Sequence, residues 1–196
     1  MINLKNKEVV IIGGGNVALR KAKKFLEYEA NVKVISKNFA EGFKLLYSDY
    51  KGKLVLIKGV FHESFIEKSF LVVAATDDGN LNKYISTYCM DKNILCNVAD
   101  SMELSDFIVP STIKSGDLTI SISTLGNSPS LCAKIRKELQ SVYDESYGEY
   151  VDLLGQCRKI ILENFKDEGE KKRILNSLID FNKEELQDLM KRNFRV

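Results

Sequence analysis

The chain has one histidine, His62, and four cysteines, Cys89, Cys96, Cys132 and Cys157, with no C-x-x-C pair among them. A zinc site built from His and Cys needs ligands at tighter, repeated spacing, so no metal site is expected. The cysteines read as reduced thiols in or near the core, and His62, within Phe61-His62-Glu63-Ser64, as a surface or loop residue. Any chemistry then falls to carboxylates, amides and hydroxyls. No apolar run approaches the roughly 18 residues of a membrane span, so no membrane partner is expected. Met1-Ile2-Asn3-Leu4-Lys5 lacks the apolar centre of a secretion signal, which makes the cytoplasm the expected location. The formal net charge is only +2, and the lysines form no basic block interleaved with aromatics. Nucleic acid is therefore not an expected partner.

What the sequence does have is a glycine pattern in a telling place. The apolar run Val9-Val10-Ile11-Ile12 opens directly into Gly13-Gly14-Gly15-Asn16-Val17-Ala18, followed by a helix-like stretch. Counted from Gly13 this is G-x-G-x-x-A, the strand–turn–helix fingerprint of dinucleotide binding. Gly13 permits the tight turn, Gly15 lets backbone approach a pyrophosphate, and Ala18 lets the helix pack near the strand. The N–H groups at the helix start then face the anion, helped by the helix dipole.

At 196 residues and 44% hydrophobic composition, the chain suits one large domain or a medium domain with an appendage. Residues 9–12, 32–35, 54–57, 70–75 and 94–98 read as strands, and 16–28, 39–47 and 80–92 as helices. In the first helix Val17, Ala18, Ala22, Phe25 and Leu26 are expected to point inward. Strands alternating with helices at this spacing predict an α/β fold with a Rossmann-type parallel sheet. After about residue 106 the pattern changes. Residues 107–113 and 118–123 form a β-hairpin signal through Lys114-Ser115-Gly116-Asp117, and Ser128-Pro129 marks a helix start. Leu131, Ile135, Leu139 and Val142 then make one apolar stripe, and Leu153, Leu154, Ile160, Ile161 and Phe165 contribute to another. The charge-rich stretch 166–196 keeps Ile174, Leu175, Leu178, Leu186 and Leu189. The expected organisation is a dinucleotide-binding domain over 1–107, a β-hairpin dimerisation segment over 108–145 and a small C-terminal helical domain over 146–196. A lone hairpin is marginal in water, and its simplest partner is the same hairpin of a second subunit, which predicts a homodimer.

In an open parallel sheet, ligands bind beyond the carboxyl ends of the strands. Three of these ends carry polar residues: Ser36-Lys37-Asn38, Thr76-Asp77-Asp78 and Asn97-Val98-Ala99-Asp100. Asp77 or Asp78 suits a helix cap just as well as a ligand. Asp100 has little after it to cap, and a carboxylate there is placed to accept a proton while hydride leaves the adjoining carbon. Strand-end geometry adds Gly13, Gly15 and Thr76 as cofactor-binding candidates. The second strand lacks the usual acidic residue for the ribose 2′-hydroxyl and offers Ser36 and Lys37 instead, which leaves NADP open beside NAD. Tyr47-x-x-x-Lys51 imitates a dehydrogenase dyad but sits between the second and third strands, a coincidence of spacing.

Four segments occur in order: Gly13-Gly14-Gly15-Asn16-Val17-Ala18-Leu19-Arg20-Lys21, Ala74-Ala75-Thr76-Asp77-Asp78, Asn97-Val98-Ala99-Asp100 with Ser105-Asp106-Phe107-Ile108-Val109-Pro110, and Ser121-Ile122-Ser123-Thr124-Leu125-Gly126-Asn127-Ser128-Pro129. Together they resemble the precorrin-2 dehydrogenases, siroheme-synthase proteins that in some organisms also act as sirohydrochlorin ferrochelatases. The resemblance covers residues 1–145 well and the helical tail in general character. It implies an NAD-binding Rossmann domain, strands interlocked between two subunits, and a C-terminal helical domain. It also implies that NAD+ takes hydride from precorrin-2 to give sirohydrochlorin, with Fe2+ as a further substrate in bifunctional members. The family's catalytic aspartate falls on Asp100, and its cofactor positions fall on Asn16, Val17, Lys37 and Asn38. By the same resemblance Ser123, Thr124, Asn127 and Ser128 border the substrate cavity, the plainer reading being turn and cap chemistry. The tetrapyrrole carries eight carboxylates, for which Arg20, Lys21, Lys114, Lys134 and Arg136 are cation candidates. With the sequence ending at Val196, no methyltransferase domain is expected, and the earlier methylation falls to another protein. Two other readings stand beside this one: a non-catalytic dinucleotide-sensing regulatory module, and a dehydrogenase of some other small substrate.

Overall fold

A computed structural model describes residues 2–192. The chain divides into two compact units, Met1–Val109 and Pro110–Val196. In the first, β1 (Glu8–Ile12), β2 (Asn31–Ser36), β3 (Leu54–Lys58), β4 (Leu71–Ala74) and β5 (Leu95–Val98) form one sheet in the order β3-β2-β1-β4-β5. All four pairings are parallel. Helices α1 (Asn16–Glu27), α2 (Gly42–Asp49) and α3 (Gly79–Asp91) make the crossovers.

The continuous apolar strands follow from burial on both faces. Side chains alternate along each strand. Val9, Ile11, Val32, Val34, Leu71 and Val73 pack with Ala18, Ala22, Phe25 and Leu26 of α1 and with Phe43 and Leu46 of α2. Val10, Ile12, Ile35, Val72, Ala74, Cys96 and Val98 face the other way, onto Ile85 and Cys89 of α3 and Ile66. Val17 departs from expectation: it is 36% exposed at the first turn of α1, where the helix faces the open end of the sheet and not its face. The expected start of the second helix also moves, from residue 39 to Gly42, because the Ala40 N–H is engaged by the Gly14 carbonyl at 2.7 Å.

The second unit opens with a two-stranded antiparallel sheet, β6 (Ser111–Ser115) and β7 (Leu118–Ile122). Residues 107–110, expected to join the first of these strands, lie outside it. Pro110 has no N–H for a ladder, and the Phe107 carbonyl is taken by the Asn97 side chain at 2.8 Å. Lys114 and Ser115 extend β6, and the turn is carried by Gly116 and Asp117 as expected, with Gly116 at φ +55°. Helices α4 (Pro129–Val142), α5 (Glu145–Asn164), α6 (Glu168–Ser177) and α7 (Lys183–Lys191) follow. Ser128 caps α4 through the Leu131 N–H, with Pro129 at the first helical position. Cys157, Ile161, Leu178 and Leu186 form a small core, joined by Leu153, Leu154, Ile160, Phe165, Ile174, Leu175 and Leu189. The α4 stripe behaves differently: Leu131 is 46% and Val142 61% exposed, because α4 buries only Cys132 within this chain. The end of the stretch 166–196, residues 193–196, lies outside the described residues.

All four cysteines are buried free thiols, and His62 is a surface residue capping a 3-10 turn at Glu63–Phe65. Among the described residues, no helix is long and apolar enough to cross a membrane.

Gly148, buried in α5, touches the β6–β7 turn: a Cβ there would sit 2.9 Å from the Gly116 nitrogen and 3.1 Å from the Ser115 carbonyl carbon. Gly155, in the same helix, faces open space. Gly148→Ala is therefore expected to destabilise the second unit by about 1–3 kcal/mol through overpacking. Gly155→Ala is expected to stabilise it by up to about 1 kcal/mol through helix propensity. Paired thermal melts that gave the same sign for both would contradict the packing described.

Candidate cofactor and catalytic site

Where β1 ends, the chain must turn between two neighbours. The Gly13 N–H donates to the Ile35 carbonyl of β2 at 2.9 Å, and the Ile12 carbonyl accepts from Ala75 beyond β4 at 2.8 Å. This is the point at which the sheet order reverses, the place where a crevice opens in such folds. Gly13 has φ +119°, and a Cβ on it would run into the Ala75 carbonyl. Gly14 is equally confined, against the Asn38 carbonyl and the Ser36 side chain. Gly15 differs from both: nothing lies within 4 Å of where its Cβ would be.

Gly15 also opens α1, with no side-chain cap and no acidic residue in the first turn. In contrast, α3, α4, α5, α6 and α7 are capped by Asp78, Ser128, Asp144, Asp167 and Asn182. A helix start with unsatisfied N–H groups, behind a glycine that leaves space in front of it, is a cradle for a phosphate. The residues present fit a dinucleotide.

A cavity of about 970 Å³ lies over this turn. It is lined by Gly13–Val17 from the glycine turn and α1, by Ser36–Ala40 after β2, by Gly59–Phe61 after β3, by Ala75–Asp78 after β4, and by Ala99 and Asp100 after β5. Eight residues singled out in the sequence thus border one space: Gly13, Gly15, Asn16, Val17, Lys37, Asn38, Thr76 and Asp100. Val60, Phe61 and Leu81 add an apolar wall that the sequence reading missed, having weighed only polar strand ends. Of the two aspartates after β4, Asp78 caps α3, accepting from Asn80 at 2.9 Å and Leu81 at 3.1 Å. Thr76 is pinned by buried Asn82: its hydroxyl donates to Asn82 Oδ1 at 2.7 Å, and Asn82 Nδ2 donates to the Thr76 carbonyl at 3.0 Å.

Asp100 is exposed and caps no helix. Its loop is held from beneath. Ala99 N–H continues the β4 ladder to the Ala74 carbonyl at 2.9 Å. The chain then folds back along the outer edge of β5, where Asp106 Oδ2 accepts from the Cys96 N–H at 2.8 Å and Ser105 Oγ from the Val98 N–H at 2.9 Å. Two side chains thereby satisfy an edge that would otherwise be open to another strand. Asn97, 6% exposed, bridges inward: it donates to the Phe107 carbonyl and accepts from Lys21 Nζ at 2.7 Å. Burial is the main cause that lowers the Lys21 pKa, with Arg20 adding to it and Asp100 opposing it.

Ser123, Thr124, Asn127 and Ser128 lie in the second unit, in the loop between β7 and α4. Their side chains serve that loop. Leu125 N–H donates to Ser123 Oγ at 3.1 Å, Ser128 N–H to Thr124 Oγ1 at 2.9 Å, and Asn127 Nδ2 to the Thr124 carbonyl at 3.0 Å. Leu125, 62% exposed, is held at φ +49°. Of the cation candidates, Lys134 pairs with Glu138 at 3.8 Å and Arg136 donates to Gln140 at 3.4 Å, while Arg20 and Lys114 are exposed. Lys21 is drawn inward onto a neighbouring side chain of the sheet.

Comparison with known proteins agrees with this geometry. Residues 1–111 match a family model described as putative NAD(P)-binding. Siroheme synthase of Salmonella paratyphi A is 34% identical over 170 residues, which cover 87% of this chain and 37% of that protein. Siroheme synthase of Citrobacter koseri is 33% identical over 175 residues, covering 89% of this chain and 38% of that protein. The chain thus spans well under half the length of these relatives. The solved structure of SirC, a precorrin-2 dehydrogenase, superposes with a TM-score of 0.81 at 28% identity, covering 100% of this chain and 98% of that one. The chain belongs to the putative NAD(P)-binding family, with siroheme synthases and a precorrin-2 dehydrogenase among its relatives.

Proposed function

We propose that this protein is an NAD+-dependent dehydrogenase that oxidises precorrin-2 to sirohydrochlorin, in siroheme or cobalamin biosynthesis. The observation that carries the reading is that Asp100 opens on the same cavity as the uncapped start of α1. A sensor of dinucleotides needs the cradle but has no use for a carboxylate beside it. The end-to-end likeness to SirC supports the choice of substrate.

Bound NAD+ supplies the hydride acceptor. The chain's residues do the rest. The N–H groups of residues 16–18 hold the pyrophosphate, and Gly15 leaves the space for it. Lys37 and Asn38 border the far end, and Asn16, Val17 and Thr76 bound the cavity between. Asp100 accepts the proton that leaves the substrate as hydride departs, so that two electrons and two hydrogens are removed in all.

The second unit is read as the dimerisation and substrate-holding part of a homodimer, with residues 108–145 at the subunit contact and 146–196 as the helical domain. Exposed Leu131 and Val142 on α4 support that assignment, since among the described residues they form an uncovered apolar face. The strained, exposed Leu125 supports reading the 123–128 loop as a contact site for substrate or second subunit. A cytoplasmic location accords with four reduced, buried thiols.

Asp100→Ala is expected to keep NAD+ affinity within about twofold in calorimetry and to lower turnover about 10²- to 10⁴-fold. Anaerobic absorbance during incubation with precorrin-2 and NAD+ measures this, and later addition of Fe2+ shows whether metal insertion outpaces the enzyme-free control. Absence of sirohydrochlorin with the unaltered protein would favour the sensor reading. Gly15→Ala is expected to cost the fold no more than about 1 kcal/mol as a helix cap, yet to weaken NAD+ binding about tenfold or more. Unchanged affinity would remove Gly15 from the pyrophosphate site.

A further inference from the structure

The loop that carries Asp100 leaves β5 after Val98 and runs back to Phe107, and its base is joined by the Asn97 Nδ2 to Phe107 carbonyl bond at 2.8 Å. Lys21 reaches this junction from a different element, the second turn of α1, and donates to Asn97 Oδ1 at 2.7 Å. The amide is thereby fixed in orientation, because its oxygen faces a cation and its nitrogen a carbonyl. A half-buried ammonium resting on a neutral amide is an uncommon arrangement, since long charged side chains usually keep their heads in water or meet a carboxylate. Here the carboxylate that acts on Lys21 is Asp100, from the loop above.

We propose that Lys21 is a positioning residue for Asp100: through Asn97 it clasps the base of loop 98–106, and its positive charge holds the Asp100 carboxylate over the cavity. The proposal rests on the reading of Asp100 as proton acceptor. Lys21 does not line the cavity, so it acts there through Asp100. Its charge is sensitive to pH. Burial, with Arg20 beside it, lowers its pKa below the ordinary 10.5, against the opposing pull of Asp100. Other charged groups near this end of the sheet include Lys37 after β2, Asp77 and Asp78 after β4, and Asp106 on the returning segment. None of these four contributes to the shift at Lys21.

The sign follows directly. Lys21 is charged below its lowered pKa, and the clasp and the attraction on Asp100 weaken as pH rises through it. Turnover of precorrin-2 with NAD+ is therefore expected to fall on the alkaline side before an ordinary lysine would lose its proton. Lys21→Arg keeps the charge to higher pH and is expected to move that alkaline limb upward by about one pH unit or more while retaining turnover. Lys21→Met, similar in length and uncharged, is expected to lose about tenfold or more in kcat at neutral pH, with KM for NAD+ within about twofold. Thermal melts confirm that each variant is folded, and where Lys21→Met is not, the Lys21→Arg profile decides alone. An alkaline limb unmoved in Lys21→Arg would overturn the proposal, since a merely structural lysine gives that result. Absence of turnover by the unaltered protein would remove the reading of Asp100, and this inference with it.

Discussion

Everything at the functional end of the first unit depends on how close β1 and β4 come where they stop. Ile12 and Gly13 are bonded to both neighbouring strands at once, through Ala75 on one side and Ile35 on the other. The Ala75 carbonyl occupies the space a side chain on Gly13 would need. That approach fixes where α1 begins, and so where its unsatisfied N–H groups point. It also fixes the strand end that carries Thr76 and, through the Ala74 to Ala99 bond, the start of the loop bearing Asp100. One steric constraint thus sets the relative position of the anion cradle and the carboxylate.

The outer edge of β5 shows how the scaffold and the site share parts. An exposed parallel edge invites pairing with another chain. Here Ser105 and Asp106 bond the Val98 and Cys96 N–H groups, closing the edge with side chains. The Ser105 hydroxyl also donates to the Ser101 carbonyl at 2.6 Å, so the segment that protects the edge also closes the loop on which Asp100 sits. A carboxylate on a loop tied down at both ends keeps its place relative to the sheet, as proton transfer demands.

The sheet and its crossovers were legible because period-two burial on both faces leaves uninterrupted apolar runs, and Val9–Ile12 and Leu71–Ala74 are such runs. The glycine turn was legible through Gly13 and Gly15, but the confinement of Gly14 was not. That confinement comes from Asn38 and Ser36, some two dozen residues away, and no local pattern encodes it. Val17 was assigned inward because helical periodicity knows nothing of where a helix meets the end of a sheet. Pro110 was a readable signal that β6 starts late, had its missing N–H been weighed against the β-rich stretch before it. Lys21 was visible as a cation beside the glycine turn, yet its partner Asn97 lies 76 residues on. Asn82, a polar residue buried on α3, leaves no trace in periodicity, and only its bonds to Thr76 reveal what it does.

Polar satisfaction separates scaffold from site more sharply than residue type does. Asp78, Asp144 and Asp167 carry the same carboxylate as Asp100, but each is engaged by backbone N–H groups at a helix start. The loop of Ser123, Thr124, Asn127 and Ser128 is as polar as the glycine turn, but its donors and acceptors are mostly matched to one another. A ligand meeting that loop would do so through its shape and the exposed Leu125, since its hydroxyls already have partners. The start of α1 and the Asp100 carboxylate both carry hydrogen-bonding capacity unmatched by a helix cap, and both, with Asp77, open on one cavity. Unmatched capacity next to a concave space is what a polar ligand needs, and a carboxylate kept apart from any cap remains available to take up a proton.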